Sequence, residues 1–588
     1  MKEKRLFWIF SAVLVVGVAL IYGQTGCFEQ LSYDDDGYTL NCRFVKDGLS
    51  VDNVLTSFKD LTWGGIYMPI TYSSYMAVIS AFGPSHGAQH LVSAFFHAIN
   101  AVLFFLFLLR LAGWGREPGD ERRVALPIVF FAAALWAWHP LRVESVAWIA
   151  SRKDTLFTMF TLLGLFAWMD RRNGRAYLMM LCGCLSKPTA MVFPALAICI
   201  DFLCPKVPQD KTAPRTKHQA LSTCLRYLPL VILSAATAIL ATYSQTHGTG
   251  EDARGLFYST FSWRLLNALV SLGIYFYHFI VPVGLQFWYR PIRGGLPLHT
   301  PLALITLGVV TAAWCIAFWR CRDRRRVLLV TAFWFCAGIG PTLGVAASFG
   351  NHAFADRFTY LPMMAVSILI VFLLPGVKFL NLKYFVLLMP LLAFAALAFD
   401  YTRTYRNNLT AFENVARWDP NHCYAWTNIG SETILRTGDF KKGIECFRRS
   451  LALFPTDEAE NQLATALISV NDPKDEDEIV RLCMKGADWK TSPKEGVIPL
   501  IPAEKDKDGF RMEALGVIST RHRDWPNAIR CFETALSREP REDTRMRLAM
   551  CYWNLKRHDE AIPHLRILER SQRPDISAKA RELLMGVR

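Results

Sequence analysis

Long apolar runs crowd into residues 1–400 of this chain and are missing from 401–588. That imbalance constrains the fold more than any motif. The stretch from Leu6 to Tyr22 is almost wholly apolar, and about 17 such residues suffice to cross a bilayer. A span in lipid must satisfy its own backbone, so these runs are expected to be helices. At 588 residues and 52% hydrophobic content, the chain is too apolar for a soluble protein and too long for one domain. The expected fold class is all-α: a polytopic membrane helical domain over 1–400, then a soluble helical domain over 401–588.

Lys2, Lys4 and Arg5 precede the first run, and no small-residue cleavage site follows it. This reads as an uncleaved signal anchor with its basic end in the cytoplasm, which puts a first outer loop at 23–87. Further runs give about eleven spans of bilayer length. In the 177–203 run, Ser186-Lys187-Pro188 suggests two short spans meeting at Lys187 on the outer side, the freed backbone there lining a cavity. An odd count would put 401–588 outside as well. The net charge of +15 would suggest nucleic acid in a soluble protein. Here clusters such as Arg320, Arg322, Arg324, Arg325 and Arg326 flank apolar runs, which the positive-inside rule explains. No recognition motif accompanies the charge, so a nucleic-acid partner is not expected. The fifteen cysteines show no metal-ligand spacing. Cys27 and Cys42 flank an acidic knot and would pair if that loop faced an oxidising compartment.

Four polar knots interrupt the apolar half. Tyr33-Asp34-Asp35-Asp36 lies in the first loop. His139-Pro140-Leu141-Arg142-Val143-Glu144 through Arg152-Lys153-Asp154 links two runs. Lys187 and the stretch from Ser348 to Arg357 are the other two. The topology puts all four on the outer side, and His90 and His97 share one helical face near it. Ionisable groups at a membrane boundary are costly unless paired or working, so their convergence marks one candidate site. The bland alternative is a set of solvated loops with a positive cap on each following helix.

The C-terminal part repeats. Ala514-Leu515-Gly516 is followed by Ala528, Phe532, Ala535 and Pro540. Leu548-Ala549 is followed at the same interval by Ala561, Leu565 and Leu568. Gly438-Asp439-Phe440, Gly443, Phe447 and Pro455 match the second half of the same unit. This is the tetratricopeptide repeat (TPR) pattern, with small residues where helices cross closely. Residues 456–512 read as degenerate. Such arrays hold protein partners.

Taken together, the His139–Trp148 segment, Arg152-Lys153-Asp154, the Asp34–Asp36 knot with Tyr38 and Asn41, Ser186-Lys187-Pro188, and Ala355-Asp356-Arg357-Phe358-Thr359-Tyr360 form an ordered set. It resembles bacterial membrane proteins with C-terminal TPRs, which are similar to the eukaryotic transmembrane-and-TPR O-mannosyltransferases of the GT-C glycosyltransferase superfamily. One departure is Tyr67-Met68-Pro69, where the family commonly has Trp-His-Pro. The resemblance implies a GT-C-like membrane domain that moves a sugar, mannose in the relatives, from a polyprenyl-phosphate carrier to a protein or glycan acceptor. It would act at the periplasmic face of a bacterial inner membrane, with membrane lipid around it.

The acceptor hydroxyl needs a base, for which Asp34 and Asp35 are candidates that spacing does not separate. The leaving phosphate needs cations, for which Arg152, Lys153, Lys187 and Arg357 are candidates. Asp36, His90, His139, Glu144 and Asp356 complete the substrate-binding set. Glu144 would orient a cation or the acceptor, and His139 is structural or catalytic. A divalent cation held by Asp34, Asp35 and Asp36 is the second-ranked reading of that knot. The reading from another class is a membrane-anchored TPR scaffold without activity, which would need neither the acidic knot nor the cationic links.

Overall fold

The computed structural model describes residues 2–113, 126–204, 217–248, 260–290, 300–345, 354–373, 381–470, 472–484 and 509–586. It is helical, with no strand among the described residues. It divides into two compact units, Met1–Trp418 and Asp419–Arg588.

In the first unit, helix His86–Gly113 packs against Lys2–Tyr22, Leu126–Ala137 and Arg152–Met169. Small buried residues let these helices approach: Ala132, Ala133 and Ala134 have no exposed surface, and small side chains favour close helix contact in an apolar medium. Among the described residues, five helices are long and apolar enough to cross a membrane: Arg5–Cys27, His86–Gly113, Cys224–His247, Thr300–Arg320 and Asp356–Leu373. Leu126–Ala137 with Pro140–Ala147, bent by 53°, makes a sixth if the pair counts as one span. Five or six is fewer than the eleven expected, and the reasons are local. The 177–203 run forms two short helices, Asn173–Ser186 and Phe193–Leu203, around the turn Pro188–Val192. Proline disfavours helix in the residue before it, and Lys187 is extended at φ −156° and ψ 129°. Helix Arg152–Met169 begins with Arg152, Lys153 and Asp154, which shortens its apolar part. Thr300–Arg320 has only 6% of its apolar window buried, against 67% for Asp356–Leu373, so the first is a peripheral helix and the second an internal one.

Two expectations about loops end here. Cys27 and Cys42 are both free thiols: Cys42 is buried inside the first loop while Cys27 is exposed at the end of the turn Gly23–Cys27. Residues 348–353 lie outside the described residues, and the stretch is described from Phe354 onward.

The second unit is an array of antiparallel helix pairs. Cys423–Thr437 pairs with Phe440–Leu453, Phe510–Arg521 with Trp525–Arg538, and Glu542–Asn554 with His558–Glu569. Each crossing needs a small residue. A Cβ on Gly430 would lie 2.7 Å from the Phe447 ring, and one on Gly516 would lie 2.6 Å from the Phe532 ring. Asp439 and Asp524 cap their helices by accepting from the backbone N–H groups of Lys442 and Asn527, which satisfies otherwise orphaned donors. The stretch expected to be degenerate also contains helices, Asp457–Val470 and Glu476–Met484. Leu463, Leu467, Ile479 and Leu482 from them join the core with Leu515 and Cys531.

Candidate functional site

The three adjacent aspartates go to three different surroundings. Asp35 is fully buried. Its carboxylate accepts from the backbone N–H of Leu31 and of Ala150, both at 2.8 Å. It therefore pins the first loop to the turn after Trp148. Burial pushes its pKa up to about 7, against the pull of those two amides. Asp36 accepts from the Gln30 amide, and burial raises its pKa, with His86 opposing. Asp34 caps the one-turn helix Asp35–Tyr38 by position, yet no side-chain hydrogen bond or ion pair holds its carboxylate among the described residues. Among those residues no group of three or more His, Cys, Asp or Glu side chains could hold a metal ion.

Asp34 lies within electrostatic reach of Lys153 and Arg357. Lys153 is 6% exposed, with its Nζ 4.6 Å from the centre of the Tyr38 ring, a cation–π contact. Burial lowers the Lys153 pKa to about 8, while the Asp34 charge opposes that shift. Lys187 Nζ pairs with Asp154 at 2.6 Å. Arg357 pairs with Glu144, which also accepts the Arg357 backbone N–H at 2.7 Å. The guanidinium of Arg357 lies 4.9 Å from the Trp148 ring centre and 5.2 Å from that of Phe358. Four separate stretches of chain thus bring Asp34, Glu144, Lys153, Asp154, Lys187 and Arg357 together. A narrow cleft runs between Asp154, Phe157, Lys187, Thr189, Arg357 and Phe358.

Other expected site residues lie in the surrounding framework. Arg152 is fully buried and donates to the Gln89 carbonyl at 2.5 Å, the Gln89 side chain at 2.6 Å and Ser93 at 3.1 Å, tying its helix to His86–Gly113. His90 donates to the Glu29 carbonyl at 3.0 Å. His139 accepts from the Leu141 N–H at 3.2 Å and donates to the Phe279 carbonyl at 2.9 Å. Asp356 accepts from the Tyr289 hydroxyl at 2.9 Å and faces His278 at 3.4 Å. These groups hold the walls in place, and none of the four lines the cleft.

Sequence reasoning passed over a connection between two of its own motifs. Arg142 donates to Thr359 Oγ at 2.6 Å, and His97 shares a 2.6 Å hydrogen bond with the Tyr360 hydroxyl. With Glu144 on Arg357, the Arg142 bond fastens the 139–154 segment to the turn Asp356–Thr359, while the His97 bond ties Tyr360 to helix His86–Gly113. The signal was present, since Arg142 sits two residues before Glu144 and Thr359 two after Arg357, but no spacing rule reveals such a pairing.

Residues 543–566 match the tetratricopeptide repeat family. A protein O-mannosyl-transferase, F38B6.6, of Caenorhabditis elegans is 23% identical over 301 residues, covering 49% of this chain and 40% of that relative. The chain therefore spans well under two thirds of the curated relative it matches. It carries a tetratricopeptide repeat, and over about half its length it is similar to a protein whose name is that of an O-mannosyltransferase.

Proposed function

We propose that this chain is a GT-C-type membrane glycosyltransferase that moves a sugar from a polyprenyl-phosphate carrier to a protein or glycan hydroxyl. The observation that carries this reading is the Asp34 carboxylate, which has no hydrogen bond or ion pair among the described residues, within electrostatic reach of Lys153 and Arg357, both of which in turn lie near Lys187. Asp34 takes the proton of the acceptor hydroxyl. The oxygen attacks the anomeric carbon, the bond from that carbon to the phosphate oxygen breaks, and the polyprenyl phosphate leaves with the electron pair. The cations stabilise the charge that grows on the phosphate. Lys153, which has no carboxylate in contact among the described residues, is the first of them to be engaged. Lys187 and Arg357 are held ready by Asp154 and Glu144.

Asp35 serves this reading by position, since its two oxygens are already occupied by backbone amides. The repeats present the acceptor, and 1–400 with 401–588 divide the labour between chemistry and presentation. The site and the repeats face the periplasm from a bacterial inner membrane. The test is transfer of labelled sugar from a panel of polyprenyl-phosphate sugars, mannose included, comparing wild type with Asp34→Asn. Label reaching protein or glycan only with wild type supports the enzyme. Transfer that is equal in both removes Asp34 as the base, and transfer and donor hydrolysis absent from both overturn the enzyme reading in favour of a scaffold.

A further inference from the structure

Helix Asn408–Trp418 closes the first unit, and it bonds to stretches of chain on two sides of the site. Asn407 starts it: its side-chain oxygen accepts from the backbone N–H of Thr410 at 3.0 Å, a cap that fixes where the first turn begins. Ala411, Phe412 and Val415 are buried, at the spacing that makes one apolar helical stripe. Two asparagines on this helix reach outward to different partners.

Asn408 reaches the first loop. Its side-chain oxygen accepts from the backbone N–H of Ser32 at 2.9 Å, and its amide donates to the Ser32 hydroxyl. Just before the helix, the Arg406 carbonyl accepts from the Glu29 N–H at 2.9 Å. Ser32 lies two residues before Asp34. The Asp34 carboxylate has no hydrogen bond or ion pair among the described residues, so its backbone neighbours place it. On one side that is Ser32. On the other it is Asp35, whose carboxylate accepts from Leu31 and Ala150.

Asn414 reaches a different stretch. Its amide donates to the Leu285 carbonyl at 2.8 Å, and Phe412 meets Phe287 edge-on with ring centres 5.2 Å apart. In the same stretch the Tyr289 hydroxyl accepts from the Gln286 N–H at 3.0 Å and donates to Asp356 at 2.9 Å. Asp356 immediately precedes Arg357 in the turn Asp356–Thr359.

We infer that helix Asn408–Trp418 is a strut that sets the spacing between Asp34 and Arg357, with Asn408 as the positioning residue for Asp34 and Asn414 for Arg357. The inference rests on the functional reading above for the chemical roles of those two groups. Support from outside matters most for a group with no bond of its own, because a misplacement of about 1 Å can slow a reaction on the order of 100-fold. Arg357 is also held by Glu144, so losing Asn408 has the larger effect of the two.

The test uses the full chain in lipid nanodiscs, as Asn408→Ala, Asn414→Ala, Asp34→Asn and the double variant of Asp34→Asn with Asn408→Ala. Hydrogen exchange with peptide mapping reads the anchoring. Asn408→Ala is expected to speed exchange over 29–41 about tenfold or more and to leave 152–169 unchanged. Asn414→Ala should do the same over 285–289. Labelled-sugar transfer reads the chemistry. Asn408→Ala should lower kcat about tenfold with little change in donor KM, while Asn414→Ala should chiefly raise donor KM. In the Asp34→Asn background, Asn408→Ala should cause no further loss, since a residue that acts through another has nothing left to act on. A merely structural role would lower transfer in both backgrounds. Ser32→Ala removes the hydroxyl contact and keeps the backbone one. It should give a smaller loss in the same direction, and it replaces Asn408→Ala should that variant not fold. Unchanged exchange over 29–41, or an equal further loss in the double variant, would overturn the inference. Faster exchange over 29–41 with no transfer from any donor even in wild type would support the strut and remove the glycosyltransferase reading.

Discussion

The two units handle charge in opposite ways. In Met1–Trp418, Arg142, Glu144, Arg152, Asp154 and Asp356 are each at most 1% exposed, and they bond across long stretches of chain. In Asp419–Arg588, ion pairs such as Arg448–Glu478 and Arg573–Asp543 join side chains that are mostly 23–59% exposed. Solvated pairs contribute little to stability, whereas a buried charge that loses its partner is costly. The first unit therefore depends on its charges for its shape. The second depends on small residues at its helix crossings, and its charges are free to face a partner. A site that must hold an anion needs the first arrangement, and a surface that must hold a protein suits the second.

The sharpest break in this comparison is chemical. Asp34→Asn removes a carboxylate that holds nothing else in place. Transfer is expected to fall by about 10²–10⁴-fold with no change in melting temperature, measured on detergent-solubilised protein. A melting temperature that drops along with activity would place Asp34 among the structural charges instead.

Next comes a buried pair. Arg357→Met leaves Glu144 uncompensated with no exposed surface, and a loss of about 3–5 kcal/mol is expected. Glu144→Gln combined with Arg357→Met should recover most of that stability while remaining inactive. Thermal and denaturant unfolding of the three proteins gives the comparison. A double variant no more stable than the single would show that the cost lies in packing, not in the orphaned charge.

How far the site could be read in advance follows from the same contrast. Charged knots between apolar runs stand out by composition, so the 139–154 and Asp34–Asp36 stretches were legible. Partnership within them was not. Nothing in the run of three aspartates says that Asp35 turns inward to the Ala150 amide while Asp34 does not. Nothing in Arg152-Lys153 says that the arginine ties two helices together while the lysine lies over the Tyr38 ring. Those outcomes depend on contacts more than a hundred residues apart for Asp35 and about sixty for Arg152. Helices were legible from apolar runs, but span number was not, because Pro188 and the charges at 152–154 cut runs into pieces of less than bilayer length. In the repeats, Gly516 and Ala528 announced the crossings. Helices Asp457–Val470 and Glu476–Met484 lack that glycine signature and showed themselves only through their packed core.

A milder probe is protonation. The Lys153 pKa is lowered to about 8 by burial, and phosphate binding needs its cationic form. Transfer should therefore decline as pH rises through about 8, and Lys153→Arg should move that decline to higher pH, because a guanidinium stays charged. The stability sign is opposite. Between about 8 and the ordinary lysine value of about 10.4, the unfolded chain holds a proton that the folded chain has released, so this residue makes stability rise with pH across that window. Activity falling while stability rises is a signature that a loss of fold would not produce. A pH profile unchanged in Lys153→Arg would remove Lys153 from phosphate binding.

The smallest effects belong to the repeat unit, and they test whether its charges are as expendable as their exposure implies. Asp524 accepts from the Asn527 N–H at 3.3 Å to start helix Trp525–Arg538. Replacing it with alanine orphans that donor and should cost about 1 kcal/mol. Arg448→Ala removes an ion pair whose arginine is 47% exposed, and it should change stability by no more than about 0.5 kcal/mol. Both are read as shifts in the unfolding of Asp419–Arg588 within the full chain, followed by hydrogen exchange of its buried helices. A cap is a backbone matter and a surface pair is not, so the cap should cost more although both substitutions remove one charged group. If Arg448→Ala were the costlier, the exposed charges of this unit would share the structural burden seen in the first, and the contrast between the two would narrow to one of solvent exposure alone.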